Sequence, residues 1–464
     1  MDGRVDLRSG DIRAMRICRR SATVGKILVI VLVTMAVGAC RKPSPEPVTL
    51  TFFRPGWSQH DQKAERLLQQ FTQQTGIHVK DLPVPESTLD SLNLSRKLLR
   101  QGGSDPDVLG VDVFWSGIVE EDLVDLRPSS AQEVSQLRPE LIPSYTVGGK
   151  LVAIPYRVQI GALEYRTDLL REYGYDHPPA TWDELEKMAV KIQQGERAKG
   201  KKDFWGYVWQ GAPTEGLTCN ALEWQFAEGG GRIVENDRTI SVNNPATIRA
   251  WQRARHWIGW ISPPSVLAYR ETDSMNVFES GDAAFSRVWA ETTITPTDQP
   301  RLLRWRDTMA VNLTGYTSIP GGPSGRAGTL GGSGLAVSLH SAHPQEGIEL
   351  VRFMTRAQIQ STAQSLTQAN NTPASRPRQP EIYDLPSIPD QPEQADKPGQ
   401  HRGGVILRPS SVTGRAYEQV TAAYIAAVHS VLTGEKPAPE AAAALEKQLI
   451  EITGFRTAST RSTK

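Results

Sequence analysis

The chain has 464 residues, with 52 Lys and Arg against 51 Asp and Glu, a formal charge of +1. That length allows two large domains or about three average ones, and 39% hydrophobic with 22% charged residues excludes a disordered, collagen-like or coiled-coil chain. Near-neutral charge removes the basic footprint that nucleic-acid binding needs, and three cysteines are too few for a disulfide framework or a Cys-rich zinc scaffold.

Residues 1–39 hold seven basic and three acidic side chains, so the remainder has 45 against 48 and a charge of −3. Arg16, Arg19, Arg20 and Lys26 precede an apolar run, Ile27 to Val37, broken only by Thr34. Eleven residues are too few to span a bilayer but fit the core of a signal peptide. Met15 would start a signal of more usual length than Met1. The run ends in Val37-Gly38-Ala39-Cys40, which resembles the lipobox of bacterial lipoproteins. That resemblance implies a signal peptide over 1–39, lipid on Cys40, and a Pro-rich tether over 40–47 holding the protein outside the cytoplasmic membrane. Cys219 is then left as one thiol, expected to be buried and inert.

Val48 to Phe53 reads as a buried first strand. A helix capped by Ser58 follows, with Ala64, Leu67, Leu68 and Phe71 on one face and Gly76 as its stop. Ile77 to Val79 starts a second strand. Thr88 caps a second helix that places Leu89, Leu92 and Leu99 together and ends at Gly102-Gly103. Asp107 to Trp115 reads as a third strand, with Asp112 and Trp115 on the rim. Alternation of strand and helix predicts a parallel α/β sheet, on which ligands bind at the carboxyl ends of strands.

Ala153 to Pro155 begins another segment, and the pattern restarts at Gly161 to Tyr165. Thr181-Trp-Asp-Glu184 is a capping box before a stripe of Leu185, Met188, Ala189 and Ile192. Asn244-Pro245 starts a helix with Ile248, Trp251, Ala254 and Ile258 on its apolar face. Tyr417, Val420, Tyr424, Val428 and Val431 mark a late helix ended by Gly434. The Pro/Gln/Asp-rich stretch 376–400 reads as a long exposed loop. Two α/β lobes account for this order most simply.

Metalloprotease, Walker-type and Gly-x-Ser-x-Gly motifs do not occur. His340 and His343 lack an indicated third metal ligand, and Glu120-Glu121 are adjacent residues that diverge on a helix. The distinctive chemistry is aromatic. Of eleven tryptophans, 182, 251 and 257 have core spacing, whereas those at segment ends are candidates for a binding face. A sugar presents an apolar C–H face and a rim of hydroxyls, so its receptor needs an aromatic platform with carboxylates, amides or Arg around it. Asp112 with Trp115, Trp209 with Gln210, and Trp289 offer that chemistry.

An ordered series of short blocks then resembles family 1 extracellular solute-binding proteins of ABC sugar importers, and within them the trehalose/maltose-binding branch. The blocks are Gly103-Ser-Asp-Pro-Asp-Val108 with Val111-Asp-Val-Phe-Trp115, Ile154-Pro-Tyr with Tyr165-Arg-Thr-Asp-Leu-Leu170, and Phe204-Trp-Gly-Tyr-Val-Trp-Gln-Gly211 with Glu215-Gly-Leu217. Ile261-Ser-Pro-Pro264, Gly281-Asp-Ala-Ala-Phe285 before Trp289, Gly328-Thr-Leu-Gly-Gly332 and Arg408-Pro409 complete the series, which runs from about 48 to 453.

The resemblance implies a two-lobe, hinged, periplasmic-binding-protein-like fold of the α/β class, type II-like, with a ligand cleft between lobes. It implies an N-lobe of 48–155 plus 317–370, a C-lobe of 156–316 plus 371–455, and a tail of 456–464. The protein would be a monomer that captures a saccharide without catalysis or cofactor and presents it to ABC permease subunits. By resemblance, Asp112 accepts ligand hydroxyls, Trp289 is a stacking platform, Gly331 and Gly332 allow close backbone approach, Arg408 donates to ring or bridge oxygens, and Glu215 borders the pocket. The chain departs from the branch at Arg157, Gln159, Thr214 and Ser333, where the branch has an aromatic, an acidic residue, an aromatic and an aromatic. Two alternatives stay open: a cleft-altered sensor or scaffold lipoprotein of the same fold, and a carbohydrate-active enzyme.

Overall fold

The structure, a computed structural model, describes residues 47–54, 62–85, 88–101, 103, 105–292, 302–303, 313–371 and 403–457. The signal segment 1–39, Cys40, nearly all of the tether, Ser58, Gly102 and the loop 376–400 lie outside these residues. Among the described residues no helix is long and apolar enough to cross a membrane.

The first strand, β1 (Thr49–Phe53), is buried from Leu50 to Phe53, the continuous apolar run of a parallel strand covered on both faces. Helix α1 (Gln62–Thr75) buries Ala64, Leu68 and Phe71 and stops at Gly76, whose φ of +76° only glycine adopts readily. Strand β2 (His78–Asp81) then pairs parallel with β1. Helix α2 (Thr88–Arg100) buries Leu92 and Leu99, but Leu89 is exposed. Ser91 and Ser95 share the buried face instead, which centres it roughly 100° round the helix from Leu89. Strand β3 (Val108–Asp112) lies parallel to β1 on its other side. The chain turns at once into a short helix, Ser116–Val119. That turn draws Trp115 inward, so this indole, expected on the rim, is buried.

The two segments expected around Ala153 and Gly161 are one strand, β4 (Ile154–Arg166). After α3 (Trp182–Ala198) come β5 (Trp205–Val208), α4 (Glu215–Ala227) and α5 (Pro245–Trp257). Strands β6 (Ala283–Thr292), β7 (Leu302–Leu303), β8 (Thr314–Ser318) and β9 (Arg326–Val337) follow. Helix α6 (Pro344–Asn371), β10 (Gly403–Ile406), α7 (Tyr417–Thr433) and α8 (Ala438–Thr453) complete the set. The tail expected from 456 begins with Arg456–Thr457 paired to Thr239–Ile240.

Two of the expected N-caps are present at Thr181 and Asn244, whereas Thr88, expected as a cap, is the first residue of α2. Thr181 Oγ1 accepts from Glu184 N at 3.2 Å while Glu184 Oε2 accepts from Ala180 N at 2.7 Å, one residue earlier than the usual box. Asn244 Oδ1 accepts from Ala246 N and Thr247 N at 3.0 Å. Gly434 ends α7 in the left-handed region.

Ten strands form one sheet, and β4 and β9 run through its middle. Along β9, residues 326–329 pair with β10, 330–335 with β4, and 333–337 with β3. Along β4, 158–165 pair with β6 and 162–166 with β8. The two long strands thus link the β1–β3 group to the β5, β6, β8 and β10 group. Their mutual register shifts between Ser333 and Gly334, a bulge of the kind that bends a strand. Residues 318–331 associate with the second group: Gly321 bridges to Thr181, and Ile319 and Ala327 join its core. That core holds Trp182, Trp251 and Trp257, as their spacing predicts.

Candidate functional site

Partners across an antiparallel ladder point their side chains to the same side of the sheet. Asp112 is opposite Ser333, Ser333 is opposite Arg157, and Gly331 is opposite Gln159. Gln159 is in turn opposite Glu291, and Gly161 is opposite Trp289. One face across β3, β9, β4 and β6 therefore carries Asp112, Ser333, Arg157, Gly331, Gln159, Glu291 and Trp289. Six of the eight residues expected at the site fall on this row or in its backbone, counting Gly332 between Gly331 and Ser333.

Trp289 is part-exposed, and a Cβ at Gly331 would lie 2.7 Å from its Cζ3, so the glycine makes room for the indole. Gly332 has φ +101°, and a Cβ there would meet Arg157 O at 2.0 Å. Only glycine fits both demands. Ser333, where the resemblance led to an aromatic, is buried with an Oγ that has no hydrogen-bond partner among the described residues. Arg157 forms an ion pair with Glu291.

The remaining two expected residues join the row through Arg408. Its side chain is 5% exposed. Nη1 donates to Glu215 Oε1 at 3.1 Å, Nη2 donates to Leu330 O at 3.2 Å, and Nη2 lies 3.6 Å from Asp112 Oδ1. The group also stacks on Phe114 at 4.9 Å. Glu215, in the first turn of α4, accepts further bonds from Tyr417 Oη and from Thr421 Oγ1. Burial alone works against the charge on Arg408, but Cys219, Glu215, Tyr417 and Asp112 around it hold its pKa above the ordinary value. Burial raises Asp112 to about 6 against the pull of Arg408 and of the Phe114 N–H. The same burial, with Asp112 beside it, keeps the Tyr145 phenol well above its usual range.

One expected pair, Trp209 with Gln210, and the indole of Trp115 do not reach this site. Trp209 and Gln210 are fully buried: Trp209 Nε1 donates to Ser262 Oγ, and Gln210 Nε2 donates to Ser274 Oγ and Arg287 O. They brace the core behind β6. Trp115 is likewise interior. Cys219 is buried, with burial pushing its thiol up to about 12. Sequence reasoning missed Glu291, Arg287 and Glu223. The signal was present for two of them, since Arg287 and Glu291 flank Trp289 at a spacing of two along a strand.

Chemically, the row combines one part-exposed indole, two carboxylates (Asp112 and Glu291), the Gln159 amide and the Arg157 guanidinium, with the buried guanidinium of Arg408 beside Asp112. Among the described residues no group of three His, Cys, Asp or Glu could hold a metal ion.

The comparisons with known proteins agree with one another. A family profile described as bacterial extracellular solute-binding protein matches residues 57–361. A Deinococcus radiodurans protein named probable ABC transporter-binding protein is 37% identical over 431 residues, covering 92% of this chain and 99% of its own. The maltose-bound structure of T. maritima MalE3 superposes with a TM-score of 0.67 at 26% identity, covering 87% of this chain and all of that one. The GacH receptor of Streptomyces glaucescens, solved unliganded and with acarbose, gives a TM-score of 0.67 at 20% identity over 89% of this chain and all of its own, a likeness of fold. The fold is thus the two-lobe α/β architecture of periplasmic binding proteins, and the relatives are named for binding. The chain belongs to the bacterial extracellular solute-binding protein family.

Proposed function

We propose that this protein is a lipid-anchored, monomeric receptor that captures a neutral di- or oligosaccharide of the trehalose/maltose kind and delivers it to the permease subunits of an ABC importer. The observation that carries the reading is the single sheet face on which Trp289 lies beside Gly331 and Gln159, with Ser333 two residues along β9 and Asp112 opposite it on β3. An indole next to an amide and a carboxylate suits a sugar ring with an apolar face and a hydroxyl rim. In this reading Trp289 stacks on one ring, Asp112 accepts from ligand hydroxyls, and Gln159 accepts through its amide oxygen or donates through its amide nitrogen. Arg408 keeps Asp112 charged and donates to ring or bridge oxygens, Glu215 fixes Arg408, and Ser333 Oγ completes its bonding on a ligand hydroxyl. Gly331 and Gly332 let the backbone approach. The signal is residues 1–39, the lipid is on Cys40, and 40–47 is the tether.

The lobes we propose keep 48–155 in the first and 156–316 with 371–455 in the second. The return crossing lies at the Ser333/Gly334 bulge rather than at 317, because 318–331 pair and pack with the second group of strands. Ligand bridging the lobes stabilises the closed state over the open one, with no chemical step. A thermal-shift panel of mono- and disaccharides on the purified full chain tests this. Maltose or trehalose should raise Tm with concentration. An unchanged Tm across all neutral saccharides contradicts the reading.

A further inference from the structure

Beneath the Trp289 platform lies an ion pair without any exposure to water. Arg287 Nη2 donates to Glu223 Oε1 at 2.7 Å and Nε donates to Glu223 Oε2 at 3.3 Å, with both side chains 0% exposed. Thr329 of β9 ties into both partners. Its Oγ1 donates to Glu223 Oε1 at 2.6 Å and lies 3.0 Å from Arg287 Nη2, and its N–H donates to Glu223 Oε1 at 3.0 Å. The Arg287 guanidinium stands 4.0 Å from the centroid of the Trp289 ring. The chain keeps a glycine to accommodate the pair, since a Cβ at Gly161 would lie 1.9 Å from Glu223 Oε1 and 2.6 Å from Arg287 Nη2.

A buried ion pair adds little stability over apolar residues of similar volume, because desolvating two charges offsets their attraction. This one also leaves Arg287 Nη1 without a hydrogen-bond acceptor among the described residues, so the indole face is what remains to compensate that edge. Part-exposed indoles at a binding face are otherwise free to change rotamer, and fixing them on binding reduces affinity. Here the ring is seated on a cation from one side and against Gly331 along its six-membered edge. Helix α4 holds both buried guanidiniums, Arg408 and Arg287. Glu215 fixes Arg408, and Glu223, two turns on, fixes Arg287.

We infer that the Glu223–Arg287–Thr329 cluster is a positioning device that locks the Trp289 indole in its binding rotamer before ligand arrives. The inference rests on the proposed role of Trp289 as platform. Arg287→Lys keeps the charge opposite Glu223 but removes the planar group that stacks on the ring. Thr329→Val is a milder second variant that loosens both partners and keeps the side-chain shape.

The test uses the full chain in detergent, labelled with 5-fluorotryptophan, with the Trp289 resonance assigned by its loss in Trp289→Phe. In the ligand-free wild type this resonance should be one sharp line. In Arg287→Lys, and more weakly in Thr329→Val, it should broaden by exchange or split, while the lines of Trp182 and Trp251 stay in place. Calorimetry with maltose and trehalose should show a three- to tenfold weaker affinity for Arg287→Lys, on the order expected for one newly mobile side chain. That loss should vanish when the change is made in Trp289→Ala. A Trp289 line of unchanged width in both variants overturns the inference, as does an affinity loss that persists without the indole. If neither sugar binds the wild type, the proposed function fails, and the line shape of the ligand-free protein still decides the positioning role.

Discussion

Replacing Asp112 with Asn separates what the site needs from what the fold needs. Asp112 is held at about 6, against an ordinary 3.8, chiefly by burial. A carboxylate raised on folding binds its proton more tightly in the native state, so native stability falls as pH rises from about 4 to about 6. Two units correspond to an upper limit of about 3 kcal/mol, and with 27% of the side chain still exposed roughly 1–3 kcal/mol is expected. Asp112→Asn has no such titration. Urea unfolding should therefore find the variant more stable than wild type at pH 7.5 by roughly that amount, with the gap closing toward pH 4. The same change should weaken saccharide binding about ten- to a hundredfold, because a charge-assisted hydrogen bond becomes a neutral one. A variant less stable than wild type at pH 7.5, or a stability gap that ignores pH, refutes the reasoning: Asp112 would then be a structural ion-pair partner of Arg408.

Gly331→Ala places a Cβ against the indole, 2.7 Å from Cζ3, and should reduce saccharide affinity roughly tenfold, about 1.4 kcal/mol, with the far-ultraviolet circular dichroism unchanged. Asn244→Ala removes the acceptor for two N–H groups at the start of α5 and should lower unfolding stability by about 1 kcal/mol, read from the urea midpoint. Native Cys219 should resist alkylation at pH 8 and label fully after denaturation, as followed by peptide mapping; rapid labelling of the folded protein would show that its burial is wrong.

Local signals told most about the ends of elements. Thr181, Asn244, Gly76 and Gly434 each satisfy a helix terminus through their own side chain or a positive φ, and each was legible before the structure. Amphipathic helices were legible for the same reason, because one apolar stripe fixes one buried face. Helix α4 escaped that logic. It is buried nearly all round, so it has no stripe to read, yet it carries Glu215 and Glu223. Strand β4 reads in sequence as two segments, Ala153 to Pro155 and Gly161 to Tyr165, because no alternating pattern joins them. In the fold, Pro155 is opposite Gly334 at the bulge, where the ladder is already irregular.

Asp112 and Trp289 stood out on local chemistry, but the rest of the row was legible only through resemblance or not at all. Its members come from four strands spread over more than two hundred residues, and their adjacency is set by register that no local pattern encodes. Trp209 with Gln210, an indole next to an amide just after β5, looks as much like a site as Trp289 does. Direction decides between them: Trp209 turns inward to Ser262 while Trp289 faces outward over Gly331.

Calorimetric titration of the full chain with maltose and with trehalose, followed by chromatography of the recovered sugar, tests the account most directly. One saccharide should bind at one per chain, be recovered unaltered, and lose most of its affinity in Trp289→Ala. Absence of heat with every neutral saccharide, or recovery of cleaved sugar, would contradict it.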